Sequence, residues 1–78
     1  MARYSIVLIP NSPDAGYTVT VPALPGCITY GQDRDEAVVQ AKQAILGFIE
    51  AMEEAGETVP EESSPVEVVF VDIAVRPQ

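Results

Sequence analysis

The residues of this chain that could do chemistry are its carboxylates and a single thiol. Histidine is absent, and Cys27 is the one cysteine among 78 residues. A Ser-His-Asp triad, a Cys-His dyad and a Cys/His zinc site are therefore impossible within one chain. A catalytic thiolate needs a base or nearby positive charge, and the sequence neighbours of Cys27 are Gly26 and Ile28. We predict that Cys27 is a small buried residue and not a nucleophile.

The carboxylates suggest one enzymatic alternative, a metal-dependent nuclease. Such chemistry needs several carboxylates that converge on Mg²⁺ ions about 4 Å apart. The first apolar stretch, residues 3–9, contains none. Glu36 is better explained by helix capping, Asp14 by a loop, and Asp72 by a solvated or interface position. We expect no catalytic residue, no metal site and no cofactor, and we keep a degenerate nuclease as the alternative.

Size and composition favour one domain that associates with other proteins. A chain of 78 residues forms a single domain, residues 1–78, and a domain this small buries only about 60% of the surface its unfolded chain exposes. Nevertheless, 47% of its residues are hydrophobic and its mean hydropathy is +0.16. Such a surplus of apolar surface is more easily hidden between subunits than within one. We expect a homo-oligomer, either a dimer or a tetramer.

The charge balance narrows the kinds of partner. Twelve acidic residues against 4 basic ones give a net charge of -8. Phosphate binding requires clustered cations, whereas those of this chain are scattered at Arg3, Arg34, Lys42 and Arg76. We expect no direct nucleic-acid binding by this chain alone. An acidic surface suits a basic protein partner, or simply maintains solubility.

The sequence also contains no targeting signal that we can identify. The start, MARYSIVLIPNSPDAG, lacks a basic segment followed by a full apolar core and a small-residue cleavage site. No apolar run approaches the roughly 20 residues that span a bilayer. A lone cysteine forms no intrachain disulfide, which is compatible with a reducing compartment. We expect a cytoplasmic protein without membrane association.

Four stretches read as β-strands. YSIVLI (residues 4–9), YTVTV (17–21) and CITY (27–30) are separated by turn formers, and the second alternates strictly, as a half-buried antiparallel strand does. The fourth, VEVVFVDIAV (66–75), is apolar on both faces, so we expect the helix to cover one face and another subunit the other. The candidate oligomer interface consists of Val69, Phe70, Val71, Ile73 and Val75.

The segment between the third and fourth strands predicts a helix over residues 34–55. Asp33 is a good N-cap and Glu36, three residues later, completes a capping box, while Gly56 suits the C-terminal cap. Apolar residues recur at helical spacing and form one stripe: Val38, Ala41, Ile45, Phe48, Ile49 and Met52. The order strand-strand-strand-helix-strand then predicts an α+β fold, βββαβ. Its four-stranded mixed sheet has the order 3-2-1-4, with the helix on one face.

The stretch VPALPGC, residues 21–27, predicts a rigid corner between the second and third strands. Pro25 and Gly26 are the pair that a type II turn favours at its two central positions. Leu24 lies between two prolines, so its side chain is directed at little entropic cost. It would either cover the end of the helix stripe or present the loop to a partner.

The corner, the helix start and the order of elements together resemble the N-terminal domain of HicB-type antitoxins. The family pattern is V-P-x-L-P-G-C, then T-x-G, a capped helix with E-A and A-x-x-A-I, and a helix end of E-x-G-x-x-[VI]-P-x-P. The matching residues lie between positions 21 and 60: Val21, Pro22, Leu24, Pro25, Gly26, Cys27, Thr29, Gly31, Glu36, Ala37, Ala41, Ala44, Ile45, Gly56 and Pro60.

The resemblance implies a partial ribonuclease H-like fold and a role as an antitoxin without enzymatic activity. Its partner would be a small basic HicA-like toxin, which cleaves messenger RNA and has a double-stranded-RNA-binding-like fold. Two departures from the family matter. Position 23 is Ala where the family more often has Asp, so no role of that carboxylate transfers. Similar full-length proteins also continue into a C-terminal DNA-binding domain, whereas this sequence stops at Gln78, so the resemblance leaves open whether a repressor function is retained.

The surface that would meet such a toxin is predicted on the acidic side of the helix. The candidate partner-binding residues are Leu24 from the corner and four glutamates: Glu50, Glu53, Glu54 and Glu57. The interpretation without a partner is an ordinary solvated helix face. A free-standing oligomer that binds another protein, or none, is the further alternative.

Overall fold

Three short strands and one helix make up the regular structure of the chain. The computed structural model describes residues 2–62 and 66–76. Within them lie β1 (Val7–Pro10), β2 (Tyr17–Thr20), β3 (Ile28–Gly31) and α1 (Arg34–Glu54). The predicted α+β class is confirmed.

The strands form an antiparallel sheet in the order β1-β2-β3. Leu8 lies opposite Val19, and Val19 lies opposite Thr29, so these three share one face of the sheet. Val19 is 0% exposed, and the helix residues Ala37 and Ala41 pack with it. The alternation in YTVTV thus turns Val19 toward α1, as predicted, while Thr18 and Thr20 lie on the face away from the helix.

The predicted four-stranded sheet is not confirmed. Residues 66–76 are exposed throughout, and they pair with no strand in the described part of the chain. Phe70, in the middle of this segment, is 94% exposed. An extended segment becomes a β-strand only when a neighbour takes up its backbone hydrogen bonds, and among the described residues this segment has no such neighbour. The described sheet is therefore purely antiparallel. Of the predicted order 3-2-1-4, it contains strands 3, 2 and 1 but not strand 4.

Local capping chemistry fixes both ends of α1. The Asp33 carboxylate accepts a hydrogen bond from the backbone N–H of Glu36 at 2.8 Å, which is the N-cap interaction predicted from the sequence. At the other end Gly56 has a φ of 73°, the left-handed conformation that favours glycine. The N–H of Glu57 donates to the Met52 carbonyl at 2.9 Å and closes the helix as a Schellman motif.

Very small residues allow α1 to approach the sheet closely. A Cβ added at Gly31 would collide with the backbone nitrogen and Cα of Ala37. Ala37 and Ala41 are themselves almost fully buried, at 0% and 1% exposed. The first turns of the helix therefore rest directly on the end of β3.

The corner VPALPGC consists of two successive turns with Leu24 between them. Leu24 N–H donates to the Val21 carbonyl, and Cys27 N–H donates to the Leu24 carbonyl, both at 2.9 Å. Gly26 has a φ of 91°, so residues 24–27 form the predicted type II turn. Val21, Leu24 and Cys27 form a second core cluster under the helix, against Tyr4, Ile6, Ala44, Ile45, Phe48 and Ile49.

The segment after the helix returns to the start of the chain. The Tyr4 hydroxyl donates to the carbonyl of Pro60 at 2.6 Å. The backbone N–H and the hydroxyl of Ser5 both donate to the carboxylate of Glu62, at 3.2 and 2.9 Å. Residues 60–62 are thus held beside residues 4–5, immediately before β1.

Candidate partner-binding surface

Four glutamates form an acidic stripe on the C-terminal half of α1 and just beyond it. Glu53 and Glu54 lie three and four positions after Glu50, so these three share one side of α1. Glu57 follows just beyond the end of the helix, and all four glutamates are exposed. The last turn of α1 contains no basic residue. Because a helix C-terminus already carries partial negative charge, the stripe and the dipole add to one negative region. Such a region attracts a basic surface.

Two exposed apolar side chains continue this stripe toward the middle of α1. Val39 is 55% exposed and Leu46 is 57% exposed. They are seven positions apart, as are Leu46 and Glu53, so the three lie on one side of the helix. The outward side of α1 thus has an apolar half and an acidic half. Only the acidic half was predicted, although the seven-residue spacing of Val39, Leu46 and Glu53 is visible in the sequence.

Leu24 does not belong to this surface. It is 0% exposed and contacts the core cluster of Val21 and Cys27. A side chain without accessible surface is not available to a docked protein. Of the two roles considered for Leu24, the structure supports covering the apolar stripe of the helix.

The candidate oligomer-interface residues lie on the exposed C-terminal segment. Val69, Phe70, Val71, Ile73 and Val75 are each between 68% and 94% exposed. Contiguous apolar exposure of this kind marks an interaction site or an aggregation-prone segment. The structure therefore leaves these side chains free for a partner.

The face of the sheet away from α1 is a further apolar surface, which was not predicted from the sequence. Ile9 is 45% exposed, Ile28 is 64% exposed and Tyr30 is 48% exposed. Ile9 and Tyr30 share this face because both flank Thr18 in the strand register. The Tyr30 hydroxyl donates to the Ala15 carbonyl at 2.7 Å, which fixes the ring over the β1–β2 loop. The alternating positions of Ile9 in the first strand and of Ile28 and Tyr30 in the third strand already indicate a second apolar face in the sequence.

Cys27 has the properties expected of a packing residue. Its side chain is 4% exposed, in the cluster under the corner. Removal from water raises the pKa of the Cys27 thiol above its ordinary value. The thiolate form is thus disfavoured at neutral pH. Among residues 2–62 and 66–76, no group of three or more carboxylate or thiol side chains comes together in a way that could hold a metal ion.

Two open depressions flank the sheet. One, of about 530 Å³, lies at the start of α1 and is lined by Pro10, Ser12, Pro13, Gly16, Tyr17, Gln32, Asp33 and Arg34. The other, of about 620 Å³, lies between the N-terminal segment and α1 and is lined by Ala2, Arg3, Tyr4, Lys42, Ile45 and Leu46. We call the second one the Tyr4 groove. It combines apolar walls with two of the four basic residues of the chain.

The fold and these surfaces define a small α+β domain that offers exposed acidic and apolar surfaces for binding. Within the described residues, no helix combines the length and the apolar composition needed to cross a membrane. The sequence matches the family described as the HicB-like antitoxin of bacterial toxin-antitoxin systems over residues 4–74. This chain therefore belongs to the HicB-like antitoxin family, as its resemblance predicted.

Two relatives agree with this assignment. The UPF0150 protein Ta0767 of Thermoplasma acidophilum is 40% identical over 58 residues, which cover 74% of this chain and 84% of that protein. An uncharacterized 14.9 kDa protein from the rep-hol intergenic region of Haemophilus phage HP1 is 46% identical over 52 residues. That match covers 67% of this chain but only 38% of the phage protein.

Proposed function

We propose that this chain is an antitoxin that binds and occludes a small basic HicA-like toxin that cleaves messenger RNA. The observation that carries the proposal is the family match over residues 4–74. A toxin-antitoxin family implies a toxin as the partner in general. The HicA-like identity of that toxin rests on the sequence motifs quoted above.

The mechanism we propose requires no chemistry from the antitoxin. A complementary surface placed over the active face of a ribonuclease blocks access of RNA, and an interface of ordinary size is sufficient. The acidic stripe would occupy the positively charged surface with which a basic toxin binds RNA. Val39 and Leu46 would supply the apolar centre of that contact, and the glutamates its charged rim.

Further parts of the proposal concern the state of the antitoxin. We propose that it acts as a cytoplasmic homo-oligomer and does not act as an enzyme. We also propose that a fourth strand at the β1 edge completes a partial ribonuclease H-like fold. The free outer edge of β1 and the exposed segment 66–76 support this completion.

A pair of charge-matched variants tests the toxin-binding surface. Glu53→Lys with Glu54→Lys reverses two charges of the stripe, and Asp14→Lys with Asp35→Lys makes the same change in net charge near the other end of the helix. Lysine in the last turn of a helix interacts favourably with the dipole, so loss of binding by the first pair would not reflect a damaged fold.

The assay is co-expression with a HicA-like toxin encoded beside this gene, followed by calorimetric titration of the purified proteins. We expect the unaltered chain to restore growth and the Glu53/Glu54 pair to bind at least about tenfold more weakly, with reduced salt dependence. The Asp14/Asp35 pair should stay within about threefold of the unaltered chain. Equal affinity of both pairs would remove the acidic stripe from the interface, and no binding by the unaltered chain would contradict the proposed function.

A further inference from the structure

The outer edge of β3 is an unpaired edge of the sheet. β3 pairs with β2 on one side, and none of the described residues pairs with it as a strand on the other. Ile28 is 64% exposed and Tyr30 is 48% exposed, so the side chains along this edge are largely uncovered. Open edges present free N–H and C=O groups and readily take up an added strand.

The register of the sheet shows which backbone groups point to this edge. In an antiparallel pair, residues that exchange hydrogen bonds alternate with residues that do not. The N–H of Val21 donates to the carbonyl of Cys27 at 3.2 Å, so the backbone of Cys27 faces β2, and that of Thr29 does the same two positions later. The N–H and C=O groups of Ile28 and Tyr30 therefore point outward, away from the sheet.

β3 has none of the usual protections of an edge strand. Natural edge strands are often guarded by a charged side chain, a proline or a covering segment. The sequence of β3 is ITYG, which contains neither charge nor proline. At the opposite edge, β1 ends in Pro10, and residues 60–62 lie beside residues 4–5 just before it. Of the two edges, that of β3 is the more open to an added strand.

The outward positions of β3 are complementary to themselves. When two copies pair in antiparallel fashion with Thr29 opposite Thr29, each Ile28 lies opposite Tyr30 of the second copy. Every outward N–H and C=O group of these two residues then meets a partner group. Ile28 and Tyr30 also share the outer face of the sheet, and a β-branched residue beside an aromatic one is a favourable cross-strand pair.

Charge favours a second copy of this chain over a basic toxin at this edge. The net charge of -8 makes two copies repel each other wherever their acidic surfaces meet. The nearest carboxylate along the chain is Asp33, beyond the end of β3, and the register above places it toward Pro25 and not toward a second Asp33. The acidic stripe that would attract a toxin lies on the helix. Neutral surface thus meets neutral surface.

The C-terminal segment of the same chain starts from the other side of the sheet. The carboxylate of Glu62 accepts hydrogen bonds from Ser5, just before β1. β1 and β2 both lie between that point and the free edge of β3. A strand from the same chain would have to pass across the whole sheet, whereas a second copy reaches the edge directly.

The helix leaves room for a second copy above this edge. Val19 of β2 is fully buried under α1, whereas Thr29 beside it is only half-buried. Lys42 lies at the Tyr4 groove, so Gln40 and Ala51, about half a turn away around the helix, lie on the side toward β3. Both are exposed and uncharged. Two copies of α1 can therefore lie side by side on one face of a joined sheet.

We propose that two copies of this chain join β3 to β3 around a two-fold axis at Thr29 and form one continuous antiparallel sheet. The inference rests on the homo-oligomer proposed above and names its interface, at β3 and not at the exposed residues 69–75. It does not depend on toxin binding.

Disulfide formation at the axis tests the register directly. In a Cys27→Ala background, Thr29→Cys places two thiols opposite each other at a non-hydrogen-bonded pair, where the Cα atoms are about 4.5 Å apart. That separation lies within the range that a disulfide spans. After mild oxidation we expect a covalent dimer, measured by non-reducing gel electrophoresis and mass spectrometry.

The matched control moves the cysteine by one position. Ile28→Cys in the same background puts the thiol on a more exposed residue, which lies opposite Tyr30 and two positions away from the other Ile28. Two positions along a strand add roughly 7 Å, so the two thiols are too far apart for a disulfide. Thr29→Cys should therefore link at least about tenfold faster. Equal rates, or faster linking of the more exposed Ile28→Cys, would overturn the proposal.

A second measurement does not depend on cysteines. Ile28→Lys places lysine, a common guard of edge strands, at an exposed position, so the circular dichroism of the fold should not change. Light scattering should show a dimer for the unaltered chain of 8.4 kDa and a dissociation constant raised at least about tenfold in Ile28→Lys. Ile9→Lys, on the same outer face at the β1 edge, and Phe70→Lys, on the C-terminal segment, should each change it by less than about threefold.

The outcomes separate this inference from the proposed function. A monomer for the unaltered chain would contradict the β3 interface even if toxin binding is found. A dimer that only Phe70→Lys weakens would place the interface at residues 66–76 and would also contradict it. A dimer that Ile28→Lys weakens, in a chain that binds no toxin, would support the interface and refute the proposed function alone.

Discussion

Leu24 owes its burial to the residues on both sides of it. Pro22 and Pro25 restrict the backbone before and after it, and Gly26 adopts the positive φ of 91° that closes the second turn. The leucine side chain is therefore held under the helix, against Cys27. The same packing removes the Cys27 thiol from water, so the geometry of the corner makes this thiol unreactive.

The thiol of Cys27 should react slowly in the native chain. Burial raises its pKa, so at pH 8 less thiolate is present than for a free cysteine, and the rate should rise only at higher pH. Iodoacetamide labelling followed by mass spectrometry should show at least about tenfold slower modification in buffer than in urea. A Cys27→Ala chain with Ala51→Cys provides the exposed control, which should react at similar rates in both. Equal native rates for the two thiols would contradict the buried position.

At the scale of elements, the fold depends on how closely α1 approaches β3. Asp33 begins the helix, and two residues earlier Gly31 ends the strand, so the turn between them is very short. Ala37 lies over Gly31 because neither residue has a large side chain. The helix and the sheet therefore meet through backbone contact at this end and through larger side chains, such as Phe48, at the other.

Two glycine-to-alanine substitutions should have opposite effects. Gly31→Ala places a methyl group against the backbone of Ala37, and we expect the free energy of unfolding to fall by about 3 kcal/mol or more, since the backbone cannot yield without separating helix and sheet. Gly47→Ala adds a methyl group in the helix where nothing lies within 4 Å, and we expect a gain of about 0.5–1 kcal/mol. Urea unfolding followed by circular dichroism measures both. A neutral Gly31→Ala would disprove the close approach.

At the scale of the whole molecule, apolar surface is distributed unevenly. The core of the described chain consists of few fully buried side chains, such as Leu24 and Val19, while residues 66–76, the outer sheet face and the outward side of α1 all expose aliphatic groups. A domain of this size has little interior, so association is the available way to remove such surface from water.

Thermal stability should depend on protein concentration. If the chain forms the proposed homo-oligomer, dissociation accompanies unfolding, and the midpoint temperature should rise as the concentration is raised a hundredfold. Differential scanning calorimetry of the unaltered chain should show this rise, and Ile28→Lys should show a much smaller one. A midpoint that is independent of concentration in the unaltered chain would be evidence for a self-sufficient monomer.

The sequence alone determined the features that rest on local chemistry. The N-cap at Asp33, the C-terminal cap at Gly56, the type II turn at Pro25-Gly26 and the inward side of β2 all depend on interactions within a few residues, and the structure confirms them. The family assignment rests on the same proline, glycine and cap spacings, and the match over residues 4–74 confirms it.

Tertiary structure decided which surfaces are free. From the sequence, Leu24 could either cover the helix stripe or contact a partner. Only its packing against Val21 and Cys27 shows that it is buried. Residues 66–75 have a strand pattern, but a pattern does not specify the neighbour that a strand needs, and the structure leaves this segment exposed. The Tyr4 groove joins Tyr4 to Lys42 and Leu46, which are distant in sequence. Local preferences are encoded residue by residue, whereas exposure and pairing depend on where the rest of the chain lies.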